Sequence, residues 1–189
     1  MRKIQIGVMG SAADTRYSKD IEKIAEQIGE LIAKSGNLTV YGAEKDYDSL
    51  STAAARGAKR ANGITIGVTY GKDKNIYDKE NTDIIIVTGL ERGGGREFVL
   101  VNSCDVLIAV SGGSGTLTEI AIAYQSDIPT IVIENTGGWS NKLANSYIDN
   151  RERRKVIGVK TAKEAVTMSI NLAKEKINKD SKIIEGNTR

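Results

Sequence analysis

Residues 105–119 read Asp-Val-Leu-Ile-Ala-Val-Ser-Gly-Gly-Ser-Gly-Thr-Leu-Thr-Glu. The pattern is a buried strand, a turn with three glycines in four positions, and then the start of a helix. Glycine lets the backbone turn sharply and come close to a ligand. The first N–H groups of a helix have no carbonyl partner inside it, and with the helix dipole they attract an anion such as a phosphate. Gly112, Gly113, Ser114, Gly115 and Thr116 therefore form a candidate phosphate cradle, to which Ser114 and Thr116 add hydroxyl donors. Glu119 follows one turn into the helix. It is not expected to be a phosphate ligand, because like charges repel. Thr116 and Glu119 have the spacing of a capping box, with Thr116 as the N-cap and Glu119 at N3. The alternative sets Glu119 against the sugar end of a nucleotide, holding hydroxyls or a water. Arg96 follows Gly93-Gly94-Gly95 and would open a helix, where the dipole disfavours a positive charge. It is either a surface arginine or one with a specific partner, such as a ligand phosphate or Glu119. Arg92, in the preceding loop, reads as a solvated charge.

The rest of the composition narrows the chemistry. The chain has 189 residues, no histidine and one cysteine, Cys104. Ser-His-Asp and Cys-His catalysis within the chain are excluded, as are an internal disulfide and histidine-containing or cysteine-cluster metal sites. No metal site is expected. Catalysis must rest on carboxylates, Lys, Arg, Tyr, hydroxyls or backbone amides. The net charge of +3 is mild, short of the basic footprint of a nucleic-acid binder, so no nucleic-acid partner is expected. The cluster Arg151, Arg153, Arg154 and Lys155 reads as a solvated loop. No apolar run approaches the roughly 18 residues of a membrane helix, and no membrane partner is expected. The basic start and short apolar stretch of residues 1–10 read as a first buried strand, and a cytoplasmic location is the default.

These residues need elements to hold them. Short apolar runs at 3–9, 38–41, 64–68, 83–88, 106–110, 130–133 and 156–159 read as strands. Amphipathic stretches at 18–35, 48–62, 95–103, 115–126, 141–147 and 162–177 read as helices. Runs such as Ile84-Ile85-Ile86-Val87 do not alternate, as in strands covered on both faces. The βαβα rhythm predicts a doubly wound, parallel α/β sheet. One domain over 1–177 is expected, with a polar tail at 178–189. Glycine turns follow the first, fourth and fifth strands, at Gly10-Ser11, Gly89 to Gly95 and Ser111 to Gly115. Parallel strands bring all three to one sheet edge, where such sheets bind ligands. Asp105 reads as a turn residue and Cys104 as a small buried apolar one. Tyr17, Tyr41 and Trp139 read as packing residues, with a base-stacking role as the alternative.

Ser111-Gly112-Gly113-Ser114-Gly115-Thr116-Leu117-Thr118-Glu119 resembles the Pro-Gly-Gly-x-Gly-Thr-x-x-Glu signature of the "lonely guy" phosphoribohydrolases, once labelled lysine decarboxylases. Gly95-Arg96-Glu97 through Cys104-Asp105-Val106, and Thr136-Gly137-Gly138-Trp139, are similar to a sister group that includes the molybdenum-cofactor carrier proteins. The resemblance spans residues 4–175. It implies a Rossmann-like, mostly parallel sheet flanked by helices, in a homodimer or homotetramer. It implies Arg96 and Glu119 as the catalytic pair, Gly112 to Thr116 as the phosphate turn, and Gly10 and Ser11 as pocket lining. No cofactor is required, and the implied ligand is a nucleotide or molybdopterin. Decarboxylation with pyridoxal phosphate has no support.

Three departures matter. Glu97 stands where the hydrolases carry lysine, and Ser111 where their motif has proline. Residues 41–50, Tyr-Gly-Ala-Glu-Lys-Asp-Tyr-Asp-Ser-Leu, replace a triple-glycine turn and make the pocket's second wall more charged. Two functions follow from the resemblance. One is hydrolysis of a nucleoside 5′-monophosphate to free base and ribose 5-phosphate. The alternative is non-catalytic carriage of molybdenum cofactor, or nucleotide sensing.

Overall fold

The seven apolar runs pair as one all-parallel sheet. A computed structural model describes residues 2–186. The strands are β1 (Gln5–Gly10), β2 (Leu38–Gly42), β3 (Ile64–Thr69), β4 (Ile84–Val87), β5 (Val106–Val110), β6 (Thr130–Ile133) and β7 (Ile157–Val159). Their order in the sheet is β4-β3-β2-β1-β5-β6-β7. The helices are α1 (Lys19–Lys34), α2 (Leu50–Arg60), α3 (Arg96–Asn102), α4 (Ser114–Gln125), α5 (Gly138–Leu143) and α6 (Ala162–Gly186). The fold is α/β and Rossmann-like, as expected. Among the described residues no helix is long and apolar enough to cross a membrane.

Side chains alternate across each strand, so each buried strand feeds two cores. Ile6, Val8, Val106, Ile108, Ile131 and Ile133 pack against α1, α2 and α6 on one face. Met9, Leu107, Ala109 and Val132 pack against α3 and α4 on the other. Each fully buried Leu, Ile or Val contributes about 1.5–3 kcal/mol. Cys104 belongs to the second core, where burial pushes its thiol pKa up. Asp105 accepts the Gln5 N–H at 2.9 Å and pairs with Arg2, which fixes the turn into β5.

Several boundaries differ from the sequence reading. The helix expected at 48–62 starts at Leu50, because Ser49 caps it by accepting the Thr52 N–H at 3.0 Å. The helix expected at 141–147 is α5, which starts at Gly138. Its first-turn Trp139 and Ser140 N–H groups bond the Gly112 and Ser111 carbonyls at 3.0 and 2.9 Å. The last helix passes 177 and runs to Gly186, since no proline or glycine interrupts residues 178–185. Residues 187–189 of the expected tail lie outside the described residues.

The strand order sets the position of the site. From β1 the chain builds outward through β2 and β3 to β4, then crosses back to place β5 on the other side of β1. The connections leaving β1 and β5 diverge at this reversal, and a crevice opens above their carboxyl ends. The β4–α3 loop returns over the same edge, so all three glycine turns meet there. Arg56 of α2 stiffens the rim. It bonds Glu22 of α1 and Asp48 at 2.9 Å each and approaches Asp78 at 3.7 Å.

Candidate functional site

The turn after β5 is held from behind so that its front stays open. Ser111 has φ +57° and Gly112 φ +105°, and a Cβ on Gly112 would lie 2.5 Å from the Thr116 side chain. The Gly112 N–H donates to Ser11 Oγ at 2.9 Å, and Ser11 Oγ lies 3.1 Å from Ser111 Oγ. The Ser111 N–H donates to Thr136 Oγ1 at 2.9 Å. With the two carbonyls taken by α5, the back of the turn is saturated. Gly113 is the N-cap of α4, so Ser114, Gly115 and Thr116 form its first turn. Their N–H groups have no intrahelical carbonyl and point to the open side.

This register corrects the capping-box expectation. Gly113 caps the helix without a side-chain bond, Thr116 sits at N3, and Glu119 lies a further turn along. Glu119 is instead buried, 8% exposed, and lines the cleft. Burial pushes its pKa up to about 8; Arg96 opposes the shift, and Glu97 and Glu44 add to it. Glu119 is therefore mostly protonated at neutral pH.

Arg96 is the first residue of α3, after Gly95 at φ +123°. It is 3% exposed. Its Nη2 donates to Glu44 Oε1 at 3.0 Å and lies 3.4 Å from Glu97 Oε1. A side chain at Gly42 would strike the guanidinium, so the end of β2 must be glycine for Arg96 to enter. Glu97 accepts the Gly93 N–H and so closes the loop ahead of the helix. The positive charge at a helix start thus has a specific partner, Glu44.

The cleft has a volume of about 520 Å³, within the range of small-molecule sites. Gly10, Arg96, Gly113, Ser114, Gly115, Thr116 and Glu119 line it. Ser11 and Gly112 stand behind the turn and position it. Glu44 and Ser49, within the 41–50 segment expected as the second wall, also line the cleft, as do Ser51 and Asp14, which the sequence did not point to. The signal for Glu44 was its place just past the carboxyl end of β2. Arg92 is exposed, as expected for a solvated charge, and it also lines the cleft, 3.7 Å from Glu44 Oε2 and over the Tyr47 ring at 5.0 Å. Tyr41 is core, its hydroxyl 2.5 Å from Thr82 Oγ1, and Tyr17 packs against α1 and its neighbours. Trp139 lies outside the cleft, beneath Lys142 at 4.4 Å.

Gly138 tests the support behind the cradle. It has φ +56°, and an added Cβ would lie 2.7 Å from the Gly112 nitrogen. Gly138→Ala is expected to destabilise the fold by about 1–3 kcal/mol and to weaken any ligand held on the 112–116 turn at least tenfold, although Gly138 does not line the cleft. Thermal melting and a nucleotide titration check this. Unchanged affinity would mean that the cradle stands without the 136–140 loop.

A parallel sheet with a reversal point, a glycine turn feeding a helix N-terminus and a buried arginine define a Rossmann-like protein with a cleft at the carboxyl edge of its sheet. The chain belongs to the SLOG cluster4 family, whose profile matches residues 3–166. It is 35% identical over 140 residues to an uncharacterised protein of Archaeoglobus fulgidus, covering 71% of this chain and 86% of that one. Among solved structures it resembles the molybdenum cofactor binding protein of Rippkaea orientalis, with a TM-score of 0.75, 32% identity, and coverage of 91% of this chain and 98% of that one. It also resembles the molybdenum cofactor carrier protein of Chlamydomonas reinhardtii, with a TM-score of 0.75, 28% identity, and coverage of 90% and 98%.

Proposed function

We propose that this protein binds a phosphorylated small molecule of the molybdenum-cofactor class and holds it without cleaving it. The ligand's phosphate sits on the first turn of α4, and its ring lies toward Glu44 and Arg92. The carrying observation is the open N–H set of Ser114, Gly115 and Thr116 in one cleft with Arg96, whose Nε and Nη1 are buried without a hydrogen-bond partner. Buried donors left unpaired cost about 1–3 kcal/mol each, and a ligand is one way to recover that cost. The likeness to two molybdenum cofactor binding proteins over nine-tenths of the chain supports the cargo. The cofactor is cargo here, and the site needs no resident group.

A second reading is phosphoribohydrolase activity, which the environment of Glu119 favours. A neutral carboxyl cannot offset the positive charge on an oxocarbenium-like sugar, but it can act as a general acid. Glu119 would give its proton to the leaving base as the C1′–N bond breaks. Water would add to C1′ and return a proton to Glu119. One experiment separates the readings. The purified protein is incubated with nucleoside 5′-monophosphates and with molybdopterin, and bound ligand and free base are measured by chromatography. Retention without base release supports the carrier, and release of base with ribose 5-phosphate supports the hydrolase. Failure to bind any phosphorylated ligand would overturn both.

A further inference from the structure

The cleft carries more acid than a phosphate site needs. Asp14, Glu44, Glu97 and Glu119 line it against two guanidinium groups, Arg92 and Arg96. Glu97 is taken up by the Gly93 N–H, and Glu119 is buried at the end of the cradle. Glu44 differs from both. Its Oε1 accepts from Arg96, but its Oε2 is buried and accepts no hydrogen bond. Arg92 Nε stays 3.7 Å from Oε2, beyond hydrogen-bond distance.

Glu44 is also fixed in place. The Ala43 N–H bonds the Val68 carbonyl at 3.0 Å, and the Glu44 carbonyl accepts the Tyr77 N–H at 2.8 Å. Lys45 is tied to Asp73 at 2.9 Å. A buried, immobilised oxygen without a donor is a preformed acceptor. Beside it, Arg96 keeps two nitrogens without partners. One acceptor next to two donors complements a ring edge with N–H groups beside a carbonyl, whose oxygen has two lone pairs. Arg92, lying over Tyr47, adds a flat face for such a ring.

We propose that Glu44 is a specificity-determining residue that accepts N–H groups of a 2-amino-4-oxopyrimidine ring, the chemistry shared by guanine and the pterins. This rests on the reading of the α4 turn as a phosphate site. Adenine has no carbonyl, and uracil has one N–H between two carbonyls. Hypoxanthine keeps the carbonyl and ring N–H of guanine and lacks only the amino group. A site built to hydrogen-bond a group rejects the analogue that lacks it more strongly than a site that merely has room for it.

The test is calorimetric titration of the full chain with guanosine, inosine and adenosine 5′-monophosphates, neopterin monophosphate and ribose 5-phosphate. Guanosine monophosphate is expected to bind at least about tenfold more tightly than inosine monophosphate, and the tighter of guanosine and neopterin monophosphate identifies the ring source. In Glu44→Gln the guanosine-to-inosine ratio is expected to fall toward one. A merely structural role would weaken both nucleotides together and keep the ratio. Equal wild-type binding of guanosine and inosine monophosphates, or a preference for adenosine monophosphate, would overturn the proposal and leave the phosphate site standing. Binding of none of these ligands, ribose 5-phosphate included, would overturn the proposal and the phosphate site together. The wild-type ratio needs no variant, so a poorly folded Glu44→Gln protein does not block the test.

Discussion

Arg96→Ala is expected to lower stability by about 3–5 kcal/mol near pH 8, the usual cost of stripping one partner from a buried ion pair. Arg96 is 3% exposed and its partner Glu44 is 9% exposed. Glu97 and Glu119 lie in the same wall. Without the guanidinium, three carboxyl groups share a poorly solvated space with no buried cation. Arg96 is also the group that holds the Glu119 pKa down, so the variant's Glu119 titrates higher still. The native variant then binds more protons than its unfolded chain over a wider pH range, and its stability goes on falling above the pH at which the wild type levels off. The gap to wild type should be smallest near pH 5 and widen as pH rises through 8 to 9. Denaturant melts across that range check this, and a gap independent of pH would mean that Arg96 acts through packing alone. Ligand affinity should fall about tenfold to a hundredfold, in line with the loss of charged hydrogen bonds.

The sequence made the scaffold and the glycine turn after β5 legible for definite reasons. Strands buried on both faces leave unbroken apolar runs, and β5 and β6 are such runs; the run Ile84–Val87, read the same way, is instead the edge strand β4, with Ile84 47% exposed. A strand that enters a helix through glycines marks a tight turn at the sheet's carboxyl edge. The helix-start position of Arg96 conflicts with the dipole, and that conflict pointed to a partner. The partner was hidden because Glu44 is 52 residues away in sequence and is brought in only by the crossing of the β4–α3 loop over β2. The capping box misled because Thr-x-x-Glu spacing recurs at any point in a helix. Only the register of Gly113 shows that the helix begins two residues before Thr116. Gly137 and Gly138 entered the sequence reading only through the family resemblance, yet Gly138 packs against the backbone of the 111–112 turn. Such a contact between segments distant in sequence leaves no local periodicity to detect.

Glu119→Gln should stabilise the protein at alkaline pH, and the sign follows from burial. The native carboxyl titrates near 8, against an ordinary value of 4.5. Between these values the folded chain holds a proton that the unfolded chain has lost, so wild-type stability is fully present below about 4.5 and is lost as pH rises through about 8. The amount at stake is on the order of a few kcal/mol. Glutamine keeps the shape, carries no proton to lose, and removes this slope. The two proteins should melt alike near pH 5, and the variant should be the more stable at pH 9. Equal pH profiles would mean that Glu119 is ionised and solvated in the native cleft. The same variant sharpens the functional question, because glutamine can donate a hydrogen bond but cannot transfer a proton. A phosphate on the cradle adds negative charge near Glu119 and pushes its pKa further up, so the wild-type group stays a donor in the complex. A carrier should therefore retain its ligand in Glu119→Gln with affinity within a few-fold. A hydrolase should bind as before and lose about 10²- to 10⁴-fold in the rate of base release. Single-turnover chromatography beside the binding titration reads both, and the combination of retained binding with no base release from either protein leaves holding the ligand as the task of the cleft.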